Sequence, residues 1–210
     1  MDGQLLGAIL LIVGAYLVGS LPSGVIVARL TGGKDPRTVG SGRTGGTNAY
    51  RAMGAARGLV VGFLDGFKGL LPVLIAKFVG ADEMVQALVG VAAVVGAWRS
   101  AFLGFVGGGR GVATGIGAMV AIQPLVVVIC APIFLGVIAL SRYVSLGSLL
   151  GSASAAAVML ALVWANTIAP AELVYGVGAA IIVWLAHADN IDRLLHGRER
   201  KLSFGRRQQG

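Results

Sequence analysis

The sequence predicts an all-α integral membrane protein with a single polytopic membrane domain over residues 1–210. Of its 210 residues, 56% are hydrophobic and 12% are charged, whereas a soluble domain carries about a quarter charged residues. Apolar runs of about 20 residues recur along the chain, and that length crosses a bilayer as an α-helix. A membrane β-barrel would instead show alternating segments of about ten residues. The composition therefore favours a bundle of transmembrane helices.

The apolar runs define the predicted spans in order. They cover residues 4–30, 58–79, 84–105, 111–140, 143–164 and 170–188. The fourth run contains Gln123-Pro124 in its middle. Proline lacks an amide donor and disfavours helix in the residue before it, so this run divides into spans of about 111–122 and 125–140. The prediction is therefore seven transmembrane helices. The short span 111–122 needs a thinned bilayer or cover from its neighbours.

The distribution of basic residues supports seven spans rather than six. With seven, the basic segments all lie on the cytoplasmic side, as the positive-inside rule requires, with the N-terminus outside and the C-terminus cytoplasmic. Six spans would place the arginine-rich tail outside. The predicted cytoplasmic segments are 32–57, 99–111, 141–148 and 187–210. The net charge of +8 thus indicates membrane anchoring rather than binding of nucleic acid, and Arg142 and the tail arginines are interpreted mainly as lipid anchors.

The first polar cluster, residues 32–54, has the composition of a phosphate site. It contains seven glycines among basic, hydroxyl and amide side chains. Glycine lets backbone amides approach a ligand closely, and cations with bare amides bind anions. The candidate residues are Ser41, Arg43, Thr47, Asn48 and Arg51.

The second cluster is a glycine turn at the predicted start of a helix. A helix N-terminus presents free N–H groups and the positive end of its dipole, which suits phosphate. The turn lacks the residue order of a Walker motif, and a simple tight reversal is the alternative reading. Its candidate residues are Gly107, Gly108, Gly109, Arg110, Gly111 and Thr114.

Two further polar clusters lie beside the later spans. Residues 141–148 include Ser145, and residues 187–193 include His187 and Asn190, three positions apart on one helical face. Asp65 and Lys68 lie within an apolar run at the same spacing and can pair, so a structural ion pair and a catalytic role both remain open. Neither a metal site nor a catalytic triad is predicted.

Read together, the clusters resemble the bacterial acyl-phosphate–glycerol-3-phosphate acyltransferase family, the PlsY type, over nearly the whole chain. The order and spacing of many short motifs carry this resemblance. They are Gly19-Ser20, Asp35-Pro36-Arg37, Gly40-Ser41-Gly42, Gly46-Thr47-Asn48, Arg51, Asp65, Lys68-Gly69, residues 107–114, residues 142–148, His187 and Asn190-Ile191.

The resemblance implies an enzyme of phospholipid synthesis that uses no cofactor. It would move a fatty acyl group from acyl phosphate to the 1-hydroxyl of sn-glycerol 3-phosphate, giving lysophosphatidate and inorganic phosphate. It would lie in the bacterial cytoplasmic (inner) membrane among membrane lipids, with its active site facing the cytoplasm, and could couple to the enzyme that makes acyl phosphate. The implied catalytic residues are Ser41, Arg51, Arg110, His187 and Asn190. The implied substrate-binding residues include Thr47, Asn48 and the glycine turn.

The chain departs from the family pattern at three positions. Arg43 stands where the family usually has Asn, Ala97 where it has His, and Val106 where it has Lys or Arg. Arg43 could restore lost positive charge, which makes it a further candidate for substrate binding. A divergent, catalytically impaired paralogue that binds lipid phosphate is the first alternative. The second is an organophosphate transporter, although no inverted repeat accompanies the polar clusters.

Overall fold

The computed structural model describes residues 2–202, and every regular element in that range is helical. The α-helices are α1 (Asp2–Ser20), α2 (Ser23–Leu30), α3 (Gly46–Met53), α4 (Ala55–Phe78), α5 (Glu83–Trp98), α6 (Val112–Ile122), α7 (Pro124–Ser141), α8 (Val144–Trp164), α9 (Pro170–Ala186) and α10 (Ala188–Leu195). Short 3₁₀ turns lie at Pro36–Thr38 and Ala101–Leu103. The tail positions Arg206, Arg207 and Gln209 lie outside the described residues.

The helices bear out the all-α membrane fold at the level of five or six spans. Five described segments are long and apolar enough to cross a bilayer, and they contain α1, α4, α5, α7 and α8. The pair α9–α10, bent by 61°, makes a sixth if it counts as one span. Helix α6 is apolar but covers only Val112–Ile122, about 16 Å at 1.5 Å per residue. The seventh span and the orientation of the termini therefore stay predictions.

Two prolines divide apolar runs. The predicted break at Gln123-Pro124 is present, with Pro124 as the first residue of α7. The single helix predicted over residues 4–30 is wrong, because the chain breaks at Leu21 and Pro22 between α1 and α2. Proline lacks an N–H and pushes the preceding residue out of helical geometry.

A buried ion pair lies at the break between α1 and α2. Lys68 Nζ lies 2.8 Å from Asp65 Oδ1, so the predicted pairing is confirmed. The same ammonium group donates a hydrogen bond of 2.9 Å to the carbonyl of Leu21. The carbonyl, which the helix break leaves without a helical partner, accepts from this charged donor and from the amide of Ser23. Both side chains are almost fully buried, where a charge without such partners would be costly.

Close packing of helix backbones holds the bundle around α4. A Cβ atom on Gly69 of α4 would overlap the carbonyl oxygen of Thr114 in α6, and one on Gly117 would overlap that of Gly66. Because membrane helices gain little hydrophobic energy by associating, such small residues allow the close van der Waals contact that holds them together. This contact places the start of α6, and the glycine turn before it, beside the first polar loop.

Candidate active site

Asn48 organises the first polar loop from within. Its Nδ2 lies 2.6, 3.1 and 2.8 Å from the carbonyl oxygens of Pro36, Val39 and Arg43. Its Oδ1 accepts a 3.1 Å hydrogen bond from the amide of Ser41. The side chain is only 3% exposed. The amide of Asn48 is therefore used to hold the loop in shape.

The glycine turn contacts this loop directly. A Cβ atom on Gly45 would lie 3.7 Å from the Cα of Gly109, so the two glycine-rich backbones pass side by side. Gly107 and Gly111 have φ angles of 70° and 74°, which glycine adopts without strain. Gly111 is the N-cap of α6. The turn therefore brings the start of α6 and Arg110 beside the first loop.

Three guanidinium groups surround the carboxylate of Asp189, the second residue of α10. Arg110 lies 2.7 Å from Asp189 Oδ2, Arg193 lies 3.0 Å from the same oxygen, and Arg43 lies 3.9 Å from Oδ1. Partial burial opposes ionisation of Asp189, but Arg110, Arg193 and Arg43 hold its pKa below the ordinary value. Burial lowers the pKa of Arg110 to about 10, which leaves it charged at neutral pH. The site therefore has an excess of positive charge.

A second carboxylate, Glu199, connects the tail to two predicted site residues. Its oxygens accept hydrogen bonds from Arg193 Nε (2.9 Å), Asn190 Nδ2 (2.7 Å) and Ser145 Oγ (3.1 Å). The Glu199 side chain is 7% exposed. Two hydrogen bonds between Arg142 and Leu202 fix the tail beside α8. The third and fourth polar clusters thus meet at one buried acid.

His187 is a buried neutral imidazole at the junction of α9 and α10. Its Nδ1 lies 2.7 Å from the carbonyl of Val183. A carbonyl can only accept, so Nδ1 carries the proton and Nε2 is left as an acceptor. Burial lowers the pKa of His187 to about 4. The hydrogen bond to Val183 raises this pKa in part, and the charge of Arg110 lowers it further. The neutral ring can receive a hydrogen bond from a substrate hydroxyl.

Three buried polar atoms near this cluster have no hydrogen-bond partner in the described part of the chain. They are Arg110 Nε, Asp189 Oδ1 and Asn190 Oδ1. Buried polar atoms are nearly always hydrogen-bonded, so three on neighbouring residues indicate a place prepared for a polar ligand. They include one donor and two acceptors, which suits a ligand that combines phosphate and hydroxyl groups.

The other predicted residues lie at varying distances from this cluster. Ser41 and Thr47 are half-buried on the first loop and the first turn of α3. Arg51 is exposed on α3, and no ion pair to it is found among residues 2–202. Desolvation and the nearby Arg200 lower the pKa of Arg51, which Glu199 raises in part. Thr114 is buried where α6 packs against α4, away from these contacts.

Sequence reasoning missed the roles of Asp189, Arg193 and Glu199. The tail arginines, Arg193 among them, are predicted to be mainly lipid anchors, but the Arg193 guanidinium pairs with both carboxylates and so belongs to this cluster. A signal was available for Asp189 and Arg193, whose spacing of four residues places them on one helical face. For Glu199, the signal was one acid within the basic run Arg198–Lys201.

The fold and this site define a helical membrane protein with an arginine-rich, glycine-rich cluster formed by its loops and helix ends. The chain belongs to the glycerol-3-phosphate acyltransferase family, whose profile matches residues 9–197. It is 43% identical to the glycerol-3-phosphate acyltransferase of Trichlorobacter lovleyi over 90% of this chain and 95% of that protein.

Two solved structures share the fold. A crystal structure of PlsY (YgiH), an integral membrane glycerol 3-phosphate acyltransferase in its glycerol 3-phosphate form, superposes with a TM-score of 0.85. It is 38% identical, over 94% of this chain and 96% of that one. The lysophosphatidic acid form of PlsY gives a TM-score of 0.82 at 36% identity, over the same shares of the two chains.

Proposed function

We propose that this protein transfers a fatty acyl group from acyl phosphate to the 1-hydroxyl of sn-glycerol 3-phosphate. The products are lysophosphatidate and inorganic phosphate. The observation that carries the proposal is the cluster in which Arg43, Arg110 and Arg193 surround Asp189 beside two glycine-rich backbones. Both substrates carry phosphate, and guanidinium groups with bare amides are its strongest common partners in proteins.

Arg51 and Arg110 would bind the substrate phosphates. Arg110 is already oriented by its 2.7 Å contact with Asp189, and the amides of the glycine turn stand beside it. Arg51 lies on α3 within electrostatic range of Glu199 and Arg193. Two phosphates held by these two arginines would bring the hydroxyl and the acyl carbonyl together, and positioning of this kind supplies much of a rate enhancement.

The acyl transfer needs little assistance from a base. The 1-hydroxyl oxygen forms a bond to the acyl carbon, and the bond from that carbon to the phosphate oxygen breaks. The hydroxyl proton passes to the departing phosphate, through His187 Nε2 or directly. His187, neutral because of burial, orients the hydroxyl by accepting its hydrogen bond. The unpartnered Asn190 Oδ1 would accept from another hydroxyl of glycerol 3-phosphate, and Ser41 would contact substrate from the first loop.

Thr47, Ser145 and Asn48 would act less directly. Thr47 lies in the first turn of α3, one helical turn before Arg51, and can contact phosphate. Ser145 donates to Glu199, and Asn48 holds the loop, so both would position the residues that bind. Thr114, at the α4–α6 contact, would fix the start of α6 and the glycine turn.

The proposed topology has seven spans, with the N-terminus outside and the site facing the cytoplasm in the bacterial inner membrane. Short α6 would cross with cover from its neighbours, since more than half of its residues are buried. A single cysteine introduced at Gln209, with Cys130 replaced by serine, should resist a membrane-impermeant thiol reagent in intact cells. Labelling without permeabilisation would contradict the seven-span topology.

The function is tested with the purified full-length protein in detergent. It is given palmitoyl phosphate and glycerol 3-phosphate, and phosphate release and lysophosphatidate formation are both measured. Equal amounts of the two products, neither formed without glycerol 3-phosphate, are expected. Binding of glycerol 3-phosphate with no release of phosphate would favour the impaired paralogue. Uptake of glycerol 3-phosphate into proteoliposomes without acylation would favour the transporter.

A further inference from the structure

Residues 101–106 form a short loop that presents apolar side chains to the outside of the protein. Phe102, Phe105 and Val106 are 57%, 58% and 62% exposed. Single exposed apolar side chains are ordinary on a protein surface, but a group of neighbouring ones marks a contact with something else. This apolar loop leads directly into the glycine turn at residues 107–111, so its surroundings bear on the candidate active site.

Hydrogen bonds to the ends of α1 and α5 hold the apolar loop in place. Ser100 Oγ donates to the carbonyl of Ser20, and the amide of Ala101 donates to Ser20 Oγ at 3.3 Å. Both serines are almost fully buried. The amide of Phe105 donates to the carbonyl of Ser100 at 2.8 Å, and Arg99 Nη1 donates to the carbonyl of Phe105 at 3.4 Å. The fold therefore fixes the loop in the conformation that exposes these side chains.

The backbone of Phe105 lies in the left-handed region, with a φ angle of 65°. A bulky side chain is unfavourable there, and glycine or asparagine would adopt this conformation at lower cost. The side chain of Phe105 gains little inside the chain in return, because it is mostly exposed. Backbone strain of this kind is retained where a residue serves a function. We therefore expect the compensating contact of Phe105 to lie outside residues 2–202.

The apolar loop lies at the level where two candidate membrane spans end. One span covers Glu83–Leu103 and so includes the start of the loop, and another ends at Ser20, which the loop contacts. Just before the loop, the guanidinium of Arg99 lies 4.5 Å from the centre of the Trp98 ring. Tryptophan is typical of the membrane–water interface, and an arginine there can reach lipid phosphate. The loop is thus continuous with the lipid-facing ends of α1 and α5.

We propose that the apolar loop inserts Phe102, Phe105 and Val106 into the lipid at the membrane surface, with Arg99 on the lipid phosphates. The area of the loop favours lipid over a protein partner. At about 150–250 Å² for a fully buried aromatic side chain, the exposed parts of the three side chains sum to roughly 300 Å². A stable protein–protein interface buries about 800 Å² on each partner, whereas insertion into a bilayer requires no minimum area.

The insertion holds the glycine turn at the lipid surface. A Cβ atom on Gly108 would overlap the carbonyl oxygens of Ala97 and Trp98, so the turn packs against the last turn of α5 at the base of the loop. Displacement of the loop from the lipid would therefore disturb this packing. The lipid contact stabilises the glycine turn in the position that it has beside the first polar loop.

The first test measures the depth of the loop with a fluorescent label. Val106→Cys, with Cys130 replaced by serine, is labelled with the dye NBD, and the full-length protein is placed in nanodiscs of phosphatidylcholine and phosphatidylglycerol. Lipids that carry a nitroxide near the headgroup should quench this label more than aqueous iodide does. The same label on Thr38→Cys, at an exposed position of the first polar loop, should show the opposite order.

The second test uses the strained backbone of Phe105, for which insertion and exposure to water predict opposite signs. Phe105→Asn suits the left-handed conformation better, but it removes roughly 100 Å² of apolar surface from the lipid. With the loop inserted, the lost lipid contact outweighs the relief of strain, and trypsin should cleave after exposed Arg99 roughly tenfold faster in nanodiscs. With the loop in water, the variant should be cleaved no faster than the wild type. Phe105→Leu keeps the apolar contact and should match the wild type.

Each outcome supports the insertion or overturns it. Iodide quenching at position 106 as strong as that at position 38 would overturn it and favour a protein partner that covers the loop. A disulfide-linked dimer of Val106→Cys at a low protein-to-lipid ratio would overturn it in favour of a second copy of this chain. Unchanged or slower cleavage of Phe105→Asn would also overturn it. If Phe105→Asn fails to fold, the quenching comparison, which leaves both phenylalanines in place, decides alone.

Discussion

Replacing Asn48 with aspartate should open the first polar loop, although the two side chains have nearly the same size. The amide Nδ2 of Asn48 lies within 3.1 Å of three carbonyl oxygens, from Pro36, Val39 and Arg43. A carboxylate cannot donate to them, and its charge repels them. Only the hydrogen bond from the amide of Ser41 to Oδ1 would survive in Asn48→Asp.

The size of the effect follows from the bonds that are lost. Two or three hydrogen bonds at about 0.5–1.5 kcal/mol each, with carbonyls left unpaired in a buried setting, give a cost of about 2–4 kcal/mol for the ordered loop. If only the ordered loop supports catalysis, kcat/KM should fall between roughly thirtyfold and a thousandfold. The loss should appear for acyl phosphate and for glycerol 3-phosphate, because the loop carries Ser41 and precedes Arg51.

Limited trypsin digestion measures how ordered the first polar loop is. In the wild type, cleavage after half-buried Arg43 should be slow, and in Asn48→Asp it should be fast. Asn166→Asp makes the same substitution at an exposed residue between α8 and α9, and it should match the wild type in both assays. Wild-type proteolysis in Asn48→Asp, with a raised KM for one substrate only, would refute the loop argument and make Asn48 a direct ligand.

Three further predictions concern individual side chains. Arg51→Ala should lower kcat/KM roughly ten- to a hundredfold by removing a charge-assisted contact worth about 1.5–3 kcal/mol. Lys34→Ala, which removes another exposed cation from the first polar loop, should stay near wild type, and equal losses in the two variants would remove Arg51 from the site. Because the pKa of His187 is lowered to about 4, its ring is neutral above about pH 5, and protonation should remove activity only as the pH falls towards 4. After correction for the phosphate of glycerol 3-phosphate, whose second pKa is about 6, kcat/KM should show no inflection near pH 6.5, and an inflection there that disappears in His187→Gln would contradict this. Arg43→Asn should impair turnover, Ala97→His should change it only a few-fold, and an inactive wild type that the double change activates would support the impaired paralogue.

Proline marked both interruptions of the apolar runs, but only one was predicted. Gln123-Pro124 lies in the middle of a run too long for one span, so the break was visible as a matter of length. Leu21-Pro22 lies about two-thirds of the way along the run 4–30, and that run is short enough for a single tilted helix. At this break, Lys68 donates to the carbonyl of Leu21. That contact joins residues 47 positions apart, and no local pattern reports it.

The candidate site shows the same difference between local features, which the sequence predicts, and long-range contacts, which it does not. Glycine-rich turns, basic residues next to them and the pair His187 and Asn190 could be predicted, because the residue types that bind phosphate are few and their spacing is local. The cluster around Asp189 could not, since its charges are brought together by the packing of α6, α10 and the first loop.

The sequence by itself determined that this protein lies in a membrane, through its hydropathy. It also determined the chemistry of its ligands, through residue types that act locally. Tertiary structure alone decided which charges pair when they lie more than one helical turn apart, as with Glu199, which pairs with Arg193 and accepts hydrogen bonds from Asn190 and Ser145. It also decided where an apolar cavity remains between α6, α7, α8 and α9. The physical reason is that pairing energies and cavities depend on distances between helices. Those distances are set by small-residue contacts such as that of Gly69 with Thr114, whose partners lie far apart in the chain.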